Sequence, residues 1–415
     1  MIHVLSSFRF LLSMMMRFPW NAIQKISLSK TVHRQLCLLS HSKLQEFHNN
    51  LYKRPRRHSI DNGKVQKFSS SATNDILEND NTLKQLFDGI INCERGSLAR
   101  GITLIESSHP KKKQQAKILL NSILQYSTEK QKSGQPKKLS FRIGLSGPPG
   151  AGKSTFIETF GKFLTARDNK VAVLAVDPSS ATTGGSLLGD KTRMFELSRD
   201  WNAFIRPSPS RGTLGGVTRT TNEAILLCEA AGYNIILIET IGVGQSEYAV
   251  ADMVDLFCLL MPPAGGDELQ GIKKGIVEVA DLVIINKSDG ELVPAARRIQ
   301  AEYISALKYS RRRSKFWKPE VTRISSVNKE GIPELWDLME NFQTVMMESD
   351  ELQKKRQLQK KIWMWSFIQN NIMDMFKTHP AVQNLIKNVE EEVVKGEITP
   401  GTGADLLLTK FIKES

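Results

Sequence analysis

Short apolar runs alternate with amphipathic helical patterns from residue 141 to about residue 345 of this chain. The runs are typical of β-strands, and they occupy residues 141–145, 171–176, 234–238, 256–260 and 282–286, with a weaker candidate at 320–324. Every position of the 171–176 run is apolar, which indicates strands buried on both faces of a parallel sheet. Parallel strands need right-handed crossover connections, which the helices can supply. The pattern therefore predicts an α/β domain over residues 141–345, with a mostly parallel central sheet flanked by helices.

Helical periodicity precedes this domain. Apolar residues recur at helical spacing from about residue 74 to residue 125. A polar stretch with Gly134 and Pro136 follows at residues 126–140 and is expected to be a connector. We therefore predict an N-terminal helical region at residues 71–140.

Helical periodicity also follows the domain. Trp363, Trp365 and Phe367 belong to a set of large apolar side chains that is too extensive for a lone surface helix. This segment must dock on the main domain or be buried against a second subunit. We therefore predict a C-terminal helical dimerisation region at residues 346–415.

The N-terminus differs in composition from the rest of the chain. The 415 residues carry a formal net charge of +14, and residues 1–60 hold ten Lys or Arg against one acid, Glu46. The first 45 residues contain neither Asp nor Glu and are rich in Ser and Leu, which is typical of a mitochondrial transit peptide. A secretory signal and a disordered basic tail are the alternatives. We predict that residues 1–70 are a transit peptide and linker, and that the mature protein lies in the mitochondrial matrix.

Composition also argues against several classes of function. Because most of the excess positive charge lies before residue 61, a nucleic-acid-binding protein is not indicated. The basic run 311–313 with Phe316 and Trp317 is interpreted as a solvated loop with an anchored aromatic residue. No C-x-x-C pair occurs, and five of the seven His lie in the first 60 residues, so a zinc site is not expected. No apolar run reaches the roughly 18 residues of a membrane span.

One segment carries a specific chemical signature. Residues 147–154 fit the pattern G-x-x-x-x-G-K-[ST] between the first apolar run and a helical pattern. The backbone N–H groups of such a loop point at a polyanion. Lys153 is expected to reach the β- and γ-phosphates of a nucleotide, and the Ser154 hydroxyl to bind Mg²⁺. The predicted nucleotide contacts of this segment are Gly147, Pro148, Pro149, Gly150, Ala151, Gly152, Lys153, Ser154 and Thr155.

A second motif predicts which base the nucleotide carries. Asn286, Lys287 and Asp289 form an N-K-x-D sequence directly after the apolar run 282–286. The Asp289 carboxylate can accept hydrogen bonds from N1–H and the exocyclic amine of guanine, a donor pair that adenine lacks. Asn286 can tie the base end of the site to the phosphate loop, and the Lys287 stem can cover the ring face.

A third segment completes the predicted base site. Ser325, Ser326 and Val327 follow the next strand candidate. Backbone N–H groups of this turn could donate to the guanine oxygen. The sequence itself is unspecific, so its position along the chain carries the prediction.

Acids near strand ends are candidates for a Mg²⁺ site with Ser154. Glu239 follows a strand candidate, and we expect it to act through a water because it is longer than the Asp common at this place. Gly242 can offer its N–H to the γ-phosphate. Asp177 and Asp190 could join the metal shell or position water, although a helix N-cap and a polar loop position are their respective alternatives.

Phosphoryl transfer needs positioning and charge stabilisation more than covalent chemistry. Lys153, Asp177 and Glu239 are expected to supply charge around the phosphates. Gln245 is a hypothesis for the residue that orients the attacking water. Arg193 is a hypothesis for the residue that stabilises charge in the transition state.

Together these motifs resemble the MeaB/ArgK family of metallochaperone GTPases, which belongs to the SIMIBI class of P-loop proteins. The resemblance extends over segments 98–106, 147–154, 185–194, 239–247 and 262–275. The last segment, PPAGGDELQGIKKG, is the most diagnostic, because ordinary small GTPases have no similar sequence.

The resemblance implies a slow GTPase that binds adenosylcobalamin-dependent methylmalonyl-CoA mutase. Such proteins gate cofactor loading, and they protect or reactivate the mutase. They form homodimers largely through C-terminal helices, and residues 363–375 are the candidate contact here. In animals the family is mitochondrial.

The resemblance also implies that residues 262–275 act as an additional switch that senses the partner enzyme. The charged residues Asp267, Glu268, Lys273 and Lys274 lie between glycines that suit hinges. An ordinary surface loop that closes over the nucleotide is the alternative.

Two other functions remain open. A metal-insertion GTPase of the nickel type usually has His-rich or Cys-rich segments, which this sequence lacks after its first 60 residues. A small-molecule kinase could use the same phosphate loop, and the base motif at 286–289 favours GTP over ATP as its donor. Release of phosphate from GTP without an acceptor would favour hydrolysis over the kinase.

Overall fold

The structure is a computed structural model that describes residues 80–107, 109–132, 139–177, 194–209, 214–240, 245–263, 274–308 and 313–414. The predicted transit peptide and linker at residues 1–70 lie outside the described residues.

A single sheet of seven parallel strands forms the centre of the described chain. The strand order is β3-β2-β4-β1-β5-β6-β7, and every neighbouring pair is parallel. The strands are β1 Phe141–Ser146, β2 Val171–Asp177, β3 Ala203–Pro209, β4 Ile235–Thr240, β5 Leu256–Met261, β6 Leu282–Ile285 and β7 Glu320–Arg323. The six strand candidates and the predicted parallel α/β fold are therefore confirmed.

The strand β3 was missed by the sequence analysis. Its sequence AFIRPSP contains two prolines and an arginine, so it lacks a continuous apolar run. Within the described part of the chain it is an edge strand that pairs with β2, and Pro207 lies opposite Ala175. Edge strands tolerate proline because one side of the strand donates to no neighbour.

Helices connect the strands and extend the fold at both ends. They are α1 Asn81–Ile91, α2 Arg95–Ile105, α3 Pro110–Lys132, α4 Lys153–Thr165, α5 Phe195–Arg199, α6 Leu214–Ala230, α7 Gln245–Ala251, α8 Lys274–Val279, α9 Val293–Lys308, α10 Ile332–Glu348, α11 Glu351–Thr378, α12 Pro380–Lys395 and α13 Pro400–Glu414, with a 3-10 turn at Gly290–Leu292. No described helix is long and apolar enough to cross a membrane.

The two faces of the sheet bury two separate apolar clusters. Along β4, Ile235 and Leu237 belong to one cluster, whereas Ile236 and Ile238 belong to the other. This alternation follows from the two-residue period of a strand. Helices cover both faces, which explains why β1, β4, β5 and β6 are buried at every position.

The N-terminal helices share the core of one sheet face. Leu98 and Ile102 of α2 are fully buried in the same cluster as Leu227 of α6. The approach is close at Gly101, where an added Cβ would lie 2.8 Å from Ile90. The helix α3 continues to Lys132 and so enters the predicted connector, because polarity alone does not stop a helix made of good helix formers.

Aromatic residues build the core of the other face. Phe342 of α10 stacks on Phe141 of β1 with ring centroids 6.4 Å apart. Trp317 meets Phe342 edge to face at 5.0 Å, and its indole N–H donates to the Asp281 carbonyl at 3.0 Å. Trp317 is therefore an anchored core residue, whereas Phe316 is exposed, as predicted for this loop.

The helix α11 is held at the amino-terminal edge of the sheet by a buried ion pair. Arg356 donates to both carboxylate oxygens of Asp255, at 2.8 and 2.5 Å, and to the Ser140 carbonyl at 2.6 Å. The Asp255 side chain is 0% exposed and also accepts from the Arg142 backbone N–H at 2.9 Å. Trp363 docks beside this pair and donates to the Asp252 carbonyl at 3.1 Å, so it contacts its own subunit.

A second buried pair reinforces this edge. Arg142 forms two hydrogen bonds with Glu229 of α6, at 2.8 and 3.0 Å. Burial alone would raise the pKa of Glu229, but the nearby charges of Arg142 and Arg356 and the hydrogen bonds from Arg142 and Ser140 lower it. The carboxylate is therefore ionised at neutral pH, and the two pairs join β1, α6 and α11.

We predict that Arg356→Met lowers the free energy of unfolding by about 3–5 kcal/mol, because it leaves the buried Asp255 carboxylate without its cation. Urea denaturation followed by circular dichroism measures this change. Lys360→Met, at an exposed position of the same helix, is the matched control and should leave the midpoint unchanged. Equal midpoints for both variants would contradict the prediction.

Candidate nucleotide-binding site

The phosphate loop joins the end of β1 to the start of α4. Gly147 and Gly152 have φ angles of +152° and +86°. An added Cβ would lie 2.1 Å from the Leu260 carbonyl oxygen at Gly147 and 2.7 Å from the Asn286 amide nitrogen at Gly152. Glycine is required at both positions, because the loop packs directly against the ends of β5 and β6.

Lys153 is the first residue of α4, and its side chain folds back over the loop. Its ammonium group donates to the carbonyls of Gly147 and Pro148 at 2.7 and 3.1 Å. Burial lowers the pKa of Lys153, while the charges of Glu239 and Glu247 act in the opposite direction. A cation at a helix N-terminus, where backbone N–H groups are also available, is a favourable place for phosphate.

An acid and a hydroxyl lie at neighbouring strand ends. Glu239 of β4 is 3% exposed and is in register with Leu145 of β1. The next residue, Thr240, hydrogen-bonds the Ser146 hydroxyl at 3.1 Å and so fixes β4 to β1 just below the loop. Ser154 lies half-buried in the first turn of α4.

These groups fit Mg²⁺ by their chemistry, since hard cations prefer oxygen ligands. The described residues contain no cluster of three or more acid, His or Cys side chains that could hold a metal alone. A metal shared between one hydroxyl, an acid and nucleotide phosphates does not need such a cluster.

The base end of the site is organised by Asn286. Its side chain is almost fully buried, and its amide N–H₂ donates to the Ala151 carbonyl of the phosphate loop at 3.0 Å. Its amide oxygen accepts from the backbone N–H and the hydroxyl of Ser326, at 3.2 and 2.7 Å. One side chain therefore ties the phosphate loop to the turn after β7.

Asp289 lies beside the same turn. Its carboxylate accepts a hydrogen bond from the Ser325 hydroxyl. Lys287 has a φ angle of +58°, and its stem passes 3.7 Å from the position of an added Cβ at Gly152. Val327 is 72% exposed at the tip of the turn. The side chains predicted to contact the base thus converge at the carboxyl ends of β6 and β7.

Residues 98–381 match the protein family described as Methylmalonyl Co-A mutase-associated GTPase MeaB. The chain belongs to the MeaB family. A Mus musculus protein named Methylmalonic aciduria type A homolog, mitochondrial, is 62% identical over 327 residues, which cover 79% of each chain. A Caenorhabditis elegans protein of the same name is 48% identical over 337 residues, which cover 81% of this chain and 84% of its own.

A solved structure described as "Crystal structure of LAO/AO transport system kinase" has a TM-score of 0.62 and 36% sequence identity, and the match covers 80% of this chain and 98% of that chain. This MeaB-family protein is a P-loop GTPase, as the sequence predicted. The animal relatives are named mitochondrial, which supports the predicted mitochondrial location.

Several predicted site residues of this MeaB-family GTPase lie outside the described residues. They are Asp190, Arg193 and Gly242. Asp177 ends β2 and Gln245 begins α7, but the structure describes the backbone of these two residues and not their side chains. Their roles remain predictions.

Sequence reasoning missed two residues of α4 that position other parts of the site. The Glu158 carboxylate accepts from the backbone N–H groups of Glu196 and Leu197, at 2.7 and 3.2 Å, and so fixes the start of α5. The Thr159 hydroxyl donates to the Ser326 carbonyl at 2.8 Å. Neither residue belongs to a motif, and only the packing of α4 against distant segments brings these contacts about.

We predict that Asp289→Asn weakens GTP binding by about 1.5–3 kcal/mol, or roughly 10- to 150-fold in Kd, because one amide cannot accept from both guanine donors. Affinity for xanthosine triphosphate should rise, since the new amide N–H₂ can donate to its second carbonyl. Isothermal titration calorimetry measures the Kd of the variant and of the wild type for each of the two nucleotides. Glu291→Gln, at an exposed carboxylate nearby, is the control. An unchanged preference for GTP in Asp289→Asn would contradict this assignment.

Proposed function

We propose that this protein hydrolyses GTP to control cofactor loading of adenosylcobalamin-dependent methylmalonyl-CoA mutase, and that it protects and reactivates that enzyme in the mitochondrial matrix. The match of residues 98–381 to a family described as mutase-associated carries the proposal. The matched region includes the whole sheet and every candidate nucleotide contact.

The geometry supports specific roles at the phosphate end. The N–H groups of residues 150–155 and the Lys153 ammonium bind the phosphates, whereas Pro148 and Pro149 have no N–H to donate, and the Gly242 N–H meets the γ-phosphate. Ser154, Glu239, Asp177 and Asp190 would hold Mg²⁺, which neutralises charge on the phosphates when it is bound. Glu239 is buried, and its charge raises the pKa of Lys153, which opposes the larger lowering of that pKa by burial.

The base end selects guanine. Asp289 accepts from the two guanine donors, the Lys287 stem covers the ring, and the turn of Ser325, Ser326 and Val327 offers the Val327 N–H to the guanine oxygen, since the N–H groups of Ser325 and Ser326 donate to protein acceptors. Asn286 holds this turn against the phosphate loop through its bonds to Ser326 and Ala151. Hydrolysis then requires a positioned water and charge stabilisation, for which Gln245 and Arg193 are the candidates.

The fold offers a route from nucleotide to partner. The segment 262–275 starts directly after β5, and the Leu260 carbonyl packs against Gly147 of the phosphate loop. At its other end, Gly275 lies so close to the Tyr248 hydroxyl that an added Cβ would be 2.2 Å away. Residues 264–273 lie outside the described residues, but the described flanks of the segment reach the phosphate loop at one end and α7, a few residues after Glu239, at the other. This arrangement suits a surface that senses GTP and contacts the mutase.

The exposed face of α11 supports a homodimer. Large apolar side chains recur on it at three- and four-residue spacing, and they include Leu358, Ile362, Trp365, Ile372 and Met375. Trp365 is 61% exposed and Ile372 is 54% exposed. An apolar stripe at this spacing is typical of a helix that packs against another helix.

We expect Lys273→Ala together with Lys274→Ala to abolish stimulation of GTP hydrolysis by purified methylmalonyl-CoA mutase while GTP affinity stays unchanged. The reason is that both lysines belong to the proposed partner-sensing segment 262–275, and neither is among the predicted nucleotide contacts. Phosphate release without any acceptor, measured with and without mutase, tests both hydrolysis and its coupling. The double variant Lys111→Ala and Lys112→Ala removes two exposed lysines of α3 and serves as control. Undiminished stimulation in the first variant would defeat the proposed coupling.

We expect Trp365→Asp together with Ile372→Asp to convert a dimer into a monomer, because a charge in an apolar helix interface has no partner. Sedimentation equilibrium should give half the wild-type mass, with an unchanged circular dichroism spectrum. Trp201→Asp, at an 86% exposed position away from α11, should remain dimeric. A wild-type mass of one subunit would contradict the dimer.

A further inference from the structure

Thr159 joins the phosphate-loop helix to the turn after β7. It lies six residues after Lys153 in α4, and its hydroxyl donates to the Ser326 carbonyl at 2.8 Å. A threonine inside a helix commonly donates to a carbonyl one turn earlier in the same helix. Thr344 of α10 does so, bonding the Glu340 carbonyl at 2.9 Å. The bond of Thr159 instead leaves its helix and fixes a peptide on another segment.

This bond completes a closed ring of contacts. The phosphate loop accepts a hydrogen bond from Asn286 at Ala151, Asn286 accepts from the N–H and hydroxyl of Ser326, and Ser326 accepts from Thr159. The helix α4 carries the chain from Thr159 back to the phosphate loop. Ser326 is therefore held on one side by Asn286, which bonds the phosphate loop, and on the other by α4, which begins at that loop, and this fixes the spacing between the two ends of the site.

The ring also determines where one backbone donor points. The Ser326 carbonyl and the Val327 N–H belong to the same planar trans peptide, so they point in opposite directions. The N–H groups of Ser325, Ser326 and Asn328 all donate to protein acceptors. Among the described residues, none accepts a hydrogen bond from the Val327 N–H. By drawing the Ser326 carbonyl toward α4, Thr159 aims that remaining donor away from α4.

We propose that Thr159 is a positioning residue for guanine specificity, which acts by aiming the Val327 N–H at the guanine O6 atom. The inference rests on the proposed function in one respect, namely that the turn of residues 325–327 faces the guanine oxygen. An aimed N–H discriminates against adenine, which carries an amino donor in place of that oxygen. Asp289 reads the opposite side of the base edge, so the two residues control different atoms.

Nucleotide analogues can separate this role from a general loss of structure. GDP, 6-thio-GDP and IDP bind through the same phosphates, but 6-thio-GDP replaces O6 with a weaker acceptor and IDP lacks the amine read by Asp289. We expect Thr159→Val, an isosteric change without the hydroxyl, to weaken GDP binding roughly 2- to 12-fold, the effect of one hydrogen bond. The ratio of GDP to 6-thio-GDP affinity should fall toward one, while the ratio of GDP to IDP affinity stays at the wild-type value.

Isothermal titration calorimetry measures these affinities, and two control variants are included. Thr159→Ser retains the hydroxyl and should keep the wild-type ratios, and so should Thr344→Val, whose hydroxyl bonds only its own helix. Equal weakening of GDP and 6-thio-GDP by Thr159→Val, or no weakening of either, would overturn the inference. Wild-type protein that binds ADP as tightly as GDP would instead overturn guanine recognition itself, and the role of Thr159 with it.

Discussion

A sheet made of parallel strands must be covered on both faces, because its inner strands are apolar on both sides. This constraint organises the whole described chain. Alternate residues of β4, such as Leu237 and Ile238, enter two different apolar clusters, and helices cover each of them. Because helices cover both faces, the polar groups that the strands position contact solvent at the two ends of the strands. The sheet consequently has two polar edges, one at the carboxyl ends and one at the amino ends of its strands, and they have different roles.

At the carboxyl edge, polar groups stay available to a ligand. Among the described residues, the Lys153 ammonium donates to backbone carbonyls of its own loop, and Asn286 uses its hydrogen bonds to position neighbouring segments. The bonds of Asn286 hold the phosphate end and the base end of the site in a fixed relation, and those of Lys153 hold its ammonium group over the phosphate loop. Such preorganisation is what binding and phosphoryl transfer require, since the groups need not be rearranged when the nucleotide arrives.

At the amino edge, charged side chains form buried ion pairs with each other. Arg356 and Asp255 form a closed pair, as do Arg142 and Glu229, and their ions are mostly buried. The Arg356–Asp255 pair fixes α11 beside the short link from α7 to β5. Trp363 of α11 adds a hydrogen bond to the Asp252 carbonyl in that link. The nucleotide edge and the exposed apolar face of α11 thus connect through α7, an element only seven residues long.

The strands and the phosphate loop could be predicted because their signals are local. An unbroken apolar run and a glycine-rich loop each have few alternative structures, and N-K-x-D after a strand has few alternative chemistries. A prediction of this kind fails where the signal is diluted: β3 contains Pro207 and Pro209, and α3 continues through polar residues that favour a helix.

The sequence by itself thus determined the parallel α/β fold and the GTPase class, and it identified the phosphate loop and the turns after β6 and β7 that meet at the carboxyl edge of the sheet. Only the tertiary structure decided which partners those residues have. It turned Trp363 inward while leaving Trp365 exposed two residues later, and it directed the Thr159 hydroxyl to a carbonyl 167 residues away. The physical reason is that hydrogen bonds and packing between distant segments depend on how the helices are positioned against the sheet. The periodic pattern of apolar residues in the sequence does not specify that position.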